Sequence, residues 1–480
     1  MRYFLLLLSL IFIQDLFAQV SLAYRDSVFT EYFRRTSGWT ASDATISVPL
    51  PCQDKTLWLF GDTHIDGYNA ADTSIACLFQ VRNSMMVQDM QDPSSFTTIL
   101  DQTGSGIDRT PVKLNDNNTT YFWPGHGYAT EDTAYVFWQQ YQGNDYEHIG
   151  NYVSKIYTPN MTNASSIKEL TKLPIPNGFE FGVSVVVDSA DNYIYLYGHK
   201  KDWIILRPLL ARCSMDQNIS GPWEFFNGTG WSSDANNAAQ IMASTNDYVS
   251  ASYSVLKLQG KYYLISQDIG FLVCGLGREI YSWESDSPEG PFTNKKLLYT
   301  IEDKYEGEYL VTYNATAHPE FIRDNELLIS YNVNGFDNDV TTPCENECQD
   351  AFADRRNADG YRPKFIRVPL DYIDPALNVP NATLFCKNEP LPTGLYPQRE
   401  KFEKVNIYPN PSETGSFFID VEDYAGNGSI KVAVKDLRGQ LLYQSFLKNG
   451  KKTVRLENSG VYFVHVYSLK RQNISKIVVQ

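Results

Sequence analysis

Positive charge is scarce in this chain. Its 41 Lys and Arg are outnumbered by 56 Asp and Glu, leaving a net −15 at neutral pH. A phosphate-backbone partner calls for the opposite balance, which excludes nucleic-acid binding. Long apolar runs are missing as well. No segment approaches the roughly 18 consecutive apolar residues that a membrane-crossing helix needs, so no transmembrane segment is expected. The sequence also has no Gly-x-Ser-x-Gly elbow, no His-Glu-x-x-His pair and no phosphate-binding glycine loop. Serine hydrolase, zinc protease and kinase chemistry therefore have no motif support. Extended 3.6-residue apolar periodicity is absent too, which leaves little from which to build helices.

Cysteine is sparse and odd in number. With seven cysteines, at Cys52, Cys77, Cys213, Cys274, Cys344, Cys348 and Cys386, at least one thiol stays free whatever the pairing. Cys344 and Cys348 are close enough to clip a loop. No second Cys or His pair with ligand spacing accompanies them, so no zinc site is expected. The acidic segment from Asp337 to Asp354 lacks the EF-hand pattern. It reads as a solvated loop, and structural calcium is the one ion it could hold. No cofactor is expected.

The N-terminus is compatible with export. Arg2 precedes the apolar run Tyr3 to Ile13, and small Ala18 follows. That order of charged, apolar and small residues is the pattern of a cleavable secretory signal over residues 1–18.

Aromatics are abundant at 14%, with 32 Tyr, 26 Phe and 8 Trp. They favour strands, and strand-like runs recur: LWLFGDT from Leu57, AYVFWQQY from Ala134, IYLYGHK from Ile194, YYLISQD from Tyr262 and LLISYNV from Leu327. The intervals are 77, 60, 68 and 65 residues. Each run is aromatic or β-branched and turns polar at its C-terminal end. A second repeat pairs Cys213 to Phe226 with Trp283 to Phe292, each with a serine, a turn and a Gly-Pro-aromatic corner. The first of these is read as following an apolar strand from Trp203 to Leu210. Units of about 65 residues, each a four-stranded sheet, describe an all-β, five-bladed β-propeller over residues 19–388.

The segment GWTASDATISVPLPCQDKTLWLFGDTHI (Gly38 to Ile65) resembles the opening blade of secreted bacterial propellers, the domain-of-unknown-function families 4185 and 5005. YFWPGHGYATEDTAYVFW, GFEFGVSVV, YNATAHPEFIRDNELLISYN and YRPKFIRVPL carry the resemblance on to Leu370. It implies a glycoside hydrolase acting on a furanose-containing or related polysaccharide. The alternatives are a non-catalytic glycan- or protein-binding propeller and a polysaccharide lyase.

Glycoside hydrolysis calls for two facing carboxylates. Asp43 precedes an alternating strand, and Asp62 ends the apolar run LWLFG, where a charge belongs at a turn or a functional rim. Gly61 leaves room there for close approach. Glu180 sits between two aromatics in Gly-Phe-Glu-Phe-Gly, where partial desolvation suits a general acid. Asp43, Asp62 and Glu180 are the catalytic candidates. His126 in Pro-Gly-His-Gly, His318 and Glu320 in AHPEF, and Asp268 at the end of YYLISQD are the substrate-binding candidates. Trp123, Trp138 and Trp203 could provide stacking platforms for sugar rings, but such residues more often pack between blades, and no role is assigned to them.

Residues 389–404 are proline-rich and then charged, a linker. From Val405 the chain alternates apolar and polar positions with period two, the pattern of half-buried antiparallel strands, with a hairpin turn at Asp436 to Gly439. This suggests a small Ig-like β-sandwich over 405–480. YPNP, DLRGQ and SGVYFVHV resemble the C-terminal sorting domain of the type IX secretion system of Bacteroidota. The resemblance implies that the secretion machinery is a partner and that the protein ends outside the cell or on its surface.

Overall fold

The computed structural model describes residues 22–101, 106–114, 119–143, 145–217, 219–269, 277–305, 307–335, 350, 352–382, 400–402, 404–422, 430–436, 441–447, 450–467 and 471–480. The signal segment, the Cys344–Cys348 clip, most of the linker and acidic loop, and most of the Asp436 to Gly439 turn lie outside them. The chain divides into two compact units, Met1–Gly394 and Leu395–Gln480.

The regular secondary structure of the first unit is nearly all strand. Five antiparallel sheets follow one another along the chain. Sheet one holds Ile46–Leu50, Lys55–Phe60, Ser84–Asp89 and Phe96–Ile99; sheet two holds Thr120–Ala129, Thr133–Gln142, Glu147–Tyr157 and Ile167–Lys172. Sheet three opens with Phe179–Asp188, Tyr193–Asp202 and Ile205–Ser214 and adds two short strands, five in place of the expected four. Sheet four runs from Ser254–Leu258 through Lys261–Gln267 and Glu279–Ser285 to Thr293–Thr300. Sheet five combines Val311–Arg323, Glu326–Asn334 and Lys364–Pro369 with the N-terminal strand Tyr24–Arg25. The five recurrent runs in the sequence fall on the second strand of each sheet.

Those second strands read as unbroken apolar runs because both faces of each sheet are covered. Ile46, Leu57, Phe122 and Trp138 share one core between sheets one and two. Phe137, Phe181 and Leu196 share another between sheets two and three. Val183, Tyr197, Val255 and Trp283 join sheets three and four, and Trp58, Phe60, Leu328 and Phe365 join sheets five and one. Trp138 is fully enclosed and donates its indole N–H to Ser154 Oγ at 2.9 Å. Truncating such a side chain costs ~3–5 kcal/mol. The Gly-Pro corners carry Trp223 and Phe292, both buried.

The first strands are sheet edges, and an edge leaves backbone groups to be satisfied. Here side chains of neighbouring sheets satisfy them. Val185 N–H donates to His126 Nδ1 at 3.0 Å, Val255 N–H to Ser184 Oγ at 2.9 Å and Ala317 N–H to Ser254 Oγ at 2.9 Å. His318 Nδ1 meets Ser47 Oγ at 2.7 Å, and the His126 ring hydrogen-bonds the Ser47 backbone. The contacts run two–three, three–four, four–five, five–one and one–two, a closed cycle. Asp26 ties the N-terminal strand in, accepting from Arg323 and Arg367 at 2.9 Å each. It also caps helix Ser27–Tyr32 through Phe29 N–H.

Cys52 and Cys77 each take part in a disulfide, and Cys213 is free and buried. Among the described residues, no helix is long and apolar enough to cross a membrane.

The second unit has a five-stranded and a three-stranded sheet. Phe417, Ile419, Val432, Val464 and Ile477 form their shared apolar core. The period-two pattern of the sequence is the alternation between this core and solvent.

Candidate active site

A cavity of about 390 Å³ opens where all five sheets of the first unit converge. Asp43 reaches it from sheet one, Trp123 and Tyr141 from sheet two, Glu180 from sheet three, Asp268 from sheet four and Tyr313 from sheet five. The residues come from the starts of first strands and the C-terminal ends of second strands, which therefore share one face.

Asp43 and Asp62 are adjacent in space. Asp43 N–H donates to the Asp62 carbonyl at 3.2 Å, and Gly61 N–H to the Asp43 carbonyl at 2.9 Å. Asp43 faces the cavity and Asp62 lies behind it, 7% exposed. Trp123 Nε1 donates to Asp62 Oδ1 at 3.3 Å, and Arg82 Nη1 lies 3.3 Å from Oδ2. The Arg82 guanidinium sits over the rings of Phe79 and Tyr121, at 4.7 and 4.3 Å from their centroids. Burial raises the Asp62 carboxyl to about 6, with Arg82 and Trp123 pulling the other way. Burial and then the charge of Asp62 push Asp43 well above the usual carboxylate range, against a hydrogen bond from the Tyr361 hydroxyl. Within the pair, burial and the neighbouring charge favour the protonated form of Asp43.

Glu180 stands on sheet three in register with His199. The Tyr141 hydroxyl donates to Glu180 Oε2 at 2.5 Å. His199 Nε2 lies 3.9 Å from the same oxygen and donates to the Ala251 carbonyl at 3.2 Å. Asp268 Oδ1 accepts the Tyr248 hydroxyl at 2.7 Å.

Four of the seven expected site residues thus gather here: Asp43, Asp62, Glu180 and Asp268. Asp62 stands behind the cavity wall, and the other three lie away from it. His318 is fully buried with both ring nitrogens engaged, Nδ1 by Ser47 and Nε2 by Ser330 Oγ at 2.8 Å. Ser330 passes its own hydroxyl proton to the Thr45 carbonyl, so Nε2 carries the imidazole hydrogen. His126 is committed to backbone groups of two neighbouring strands. Burial lowers its pKa to about 4 and keeps it neutral. Glu320 is buried and bonded to Ser47. These three hold the inner strands together and have no ring nitrogen or open face left for a sugar.

Sequence reasoning missed Trp123, Arg82, Tyr141, Tyr361 and His199. Of these, Tyr141 carried a usable signal: it ends AYVFWQQY as Asp268 ends YYLISQD.

A domain of unknown function, DUF5005, matches residues 26–382, and a secretion system C-terminal sorting domain matches 406–480. A search of curated proteins gives no match. Among solved structures, a candidate hydrolase from Bacteroides ovatus aligns with a TM-score of 0.58 at 22% identity, over 72% of this chain and 89% of that one. A xylan β-1,4-xylosidase from Bacillus halodurans aligns at 0.42 and 12% identity, over 92% and 90%. An α-L-arabinofuranosidase from Lactobacillus brevis aligns at 0.41 and 10% identity, over 69% and 90%. The first likeness concerns the fold. The sorting domain directs the chain through type IX secretion to the cell surface or exterior. By the match over most of its length, the chain belongs to the DUF5005 family.

Proposed function

We propose that this chain is a secreted glycoside hydrolase, with the five sheets as the blades of a propeller and the C-terminal unit as a β-sandwich that serves export. The closed cycle of inner-strand hydrogen bonds supports the propeller reading. One observation carries the function: carboxylates from three different sheets, Asp43, Glu180 and Asp268, line one cavity.

Asp43 and Glu180 flank the glycosidic bond in this reading. The sequence alone suggests Glu180 as the general acid; the burial of Asp43 and the neighbouring Asp62 charge support giving that part to Asp43. Asp43 then protonates the leaving oxygen, and Glu180, held by the Tyr141 hydroxyl, acts at the anomeric carbon or on water. Asp62 sets the proton affinity of Asp43 from behind. Asp268, bonded to Tyr248, is placed to accept sugar hydroxyls.

The test is turnover on a panel of plant, algal and bacterial glycans. Asp43→Asn and Glu180→Gln should each lower kcat by about 10²–10⁴-fold while glycan binding persists. If Asp43 is the donor, aryl glycosides with good leaving groups should spare Asp43→Asn and not Glu180→Gln. A wild-type protein that cleaves nothing on the panel, yet binds, would leave a non-catalytic glycan receptor.

A further inference from the structure

We infer that two hairpin tips at the rim of this cavity form a docking track for an uncharged polysaccharide, so that the ligand is a chain held at several sugar units. This rests on the carbohydrate reading above. The hairpins join the second and third strands of sheets two and three. In sheet two the last pairs are Tyr141 with His148 and Gln142 with Glu147. Tyr141 lines the cavity, so the tip that carries Gly143, Asp145 and Tyr146 lies just beyond it. In sheet three Glu180 lines the cavity opposite His199, and the hairpin continues through Lys200 and Lys201 to its last pair, Asp202 with Ile205. Its two-residue tip is Trp203 and Ile204.

Both tips hold an aromatic side chain out in water. Tyr146 is 57% exposed and Trp203 is 82% exposed. Both occupy left-handed backbone, with φ of 56° and 58°. That region favours glycine, and a bulky residue there is an outlier that the rest of the fold must hold in place. At Trp203 the positive φ falls on the first residue of a two-residue turn, a position that glycine usually takes. Ordinary surface drift does not explain the same strained, outward aromatic on two neighbouring tips.

The inner tip also connects to the site. Tyr146 stacks on Trp123 with centroids 5.4 Å apart and planes at 29°. Trp123 lies 4.9 Å from Tyr141, whose hydroxyl reaches Glu180. Aromatic surface therefore runs from solvent to the carboxylates. Flat rings of this kind stack against the C–H faces of sugar rings. The charges beside the tips are mixed in sign. Asp145 and Glu147 flank one; the other has Lys201, Lys200 over the Phe179 ring at 4.5 Å, and Asp202 paired with Arg207. This mixture suits hydroxyl-rich, uncharged chains better than polyuronates.

The experiment uses the full chain carrying Asp43→Asn to suppress turnover. Affinity electrophoresis is run against linear arabinan, β-1,4-xylan and polygalacturonate, with the matching oligosaccharide series as competitors. The parent should bind one of the two neutral polymers, with affinity rising with chain length. Trp203→Gly and Tyr146→Gly should each weaken binding at least 5-fold and flatten the length dependence. Neither should lower Tm, because glycine relieves the backbone, and an unchanged or raised Tm excludes misfolding as the cause. Parent-like binding by both variants overturns the track, as does binding to polygalacturonate alone or to none of the three. If the wild type cleaves nothing but the binding pattern holds, the track stands and the hydrolase reading falls. If it cleaves while both variants bind like the parent, the reverse follows.

Discussion

Asp43 Oδ1 lies so close over Gly61 that a Cβ built on that glycine would stand 2.2 Å from it. The glycine that follows the apolar run of sheet one is therefore part of the seat of the proposed proton donor. In Gly61→Ala the flexible carboxylate end must move while the backbone stays. A displacement of about 1 Å can cost on the order of 10²-fold. We expect kcat to fall at least 10-fold with the circular dichroism spectrum unchanged; parent-like kcat would remove Asp43 from the chemistry.

Tyr141 is a positioning residue for Glu180 in the proposed reaction. Tyr141→Phe keeps the ring that packs against Trp123 and removes the donor at 2.5 Å. Losing a hydrogen bond to a charged group costs ~1.5–3 kcal/mol, or roughly 10- to 100-fold. The loss should appear in kcat more than in KM. A stability change with kcat and KM both unchanged would make the tyrosine merely structural.

Burial of Asp62 predicts a pH slope in stability. Its carboxyl is raised to about 6 in the folded protein, against ~3.9 unfolded, so the folded state binds the proton more tightly. Stability should fall as pH rises from about 4 through about 6, by at most ~3 kcal/mol from this group. Urea unfolding of the wild type and Asp62→Asn at pH 4.5 and 7.5 reads it out, and the variant should show a flatter dependence.

Asp26 acts in the other direction and at lower pH. Burial would raise it, but Arg323 and Arg367 bring it down to about 2. Its contribution is present above about pH 4 and is lost as pH falls towards 2. Asp26→Asn leaves two guanidinium groups facing a neutral amide, and breaking a buried pair costs ~3–5 kcal/mol. Chemical denaturation at pH 7 should show that loss, with little change in KM for whatever glycan is cleaved.

His318 separates two assignments. If it held sugar, His318→Asn would raise KM. Because both ring nitrogens serve Ser47 and Ser330, we expect a stability loss of ~1–3 kcal/mol with KM unchanged.

The repeat was legible because each second strand is buried on both faces, which turns its sequence into a conspicuous apolar run. Asp62 and Asp268 were legible as charges ending such runs. Trp203 was not: Trp-Ile-Ile-Leu reads as a strand start, and the turn at 203–204 has no Gly, Pro, Asn or Asp to mark it. His126, His318 and Glu320 were assigned to sugar because residue type does not say which way a polar group faces. Each has a partner on another sheet, His318 and Ser47 lying 271 positions apart. Trp123 has no assigned role in the sequence, because nothing in its residue type announces that its indole N–H goes to Asp62.

The N-terminal strand has a further consequence. Tyr24–Arg25 completes the sheet formed by the last strands of the same unit, and Arg367 reaches Asp26 across 341 positions. The two ends of the unit form a latch. Contacts of such sequence separation form late, so the latch cannot fasten until nearly the whole unit is available. A chain cut before Lys364 would keep four sheets and lose its fastening, leaving an open edge for other strands to join. Limited truncation from that end should therefore produce association between molecules before it produces loss of secondary structure.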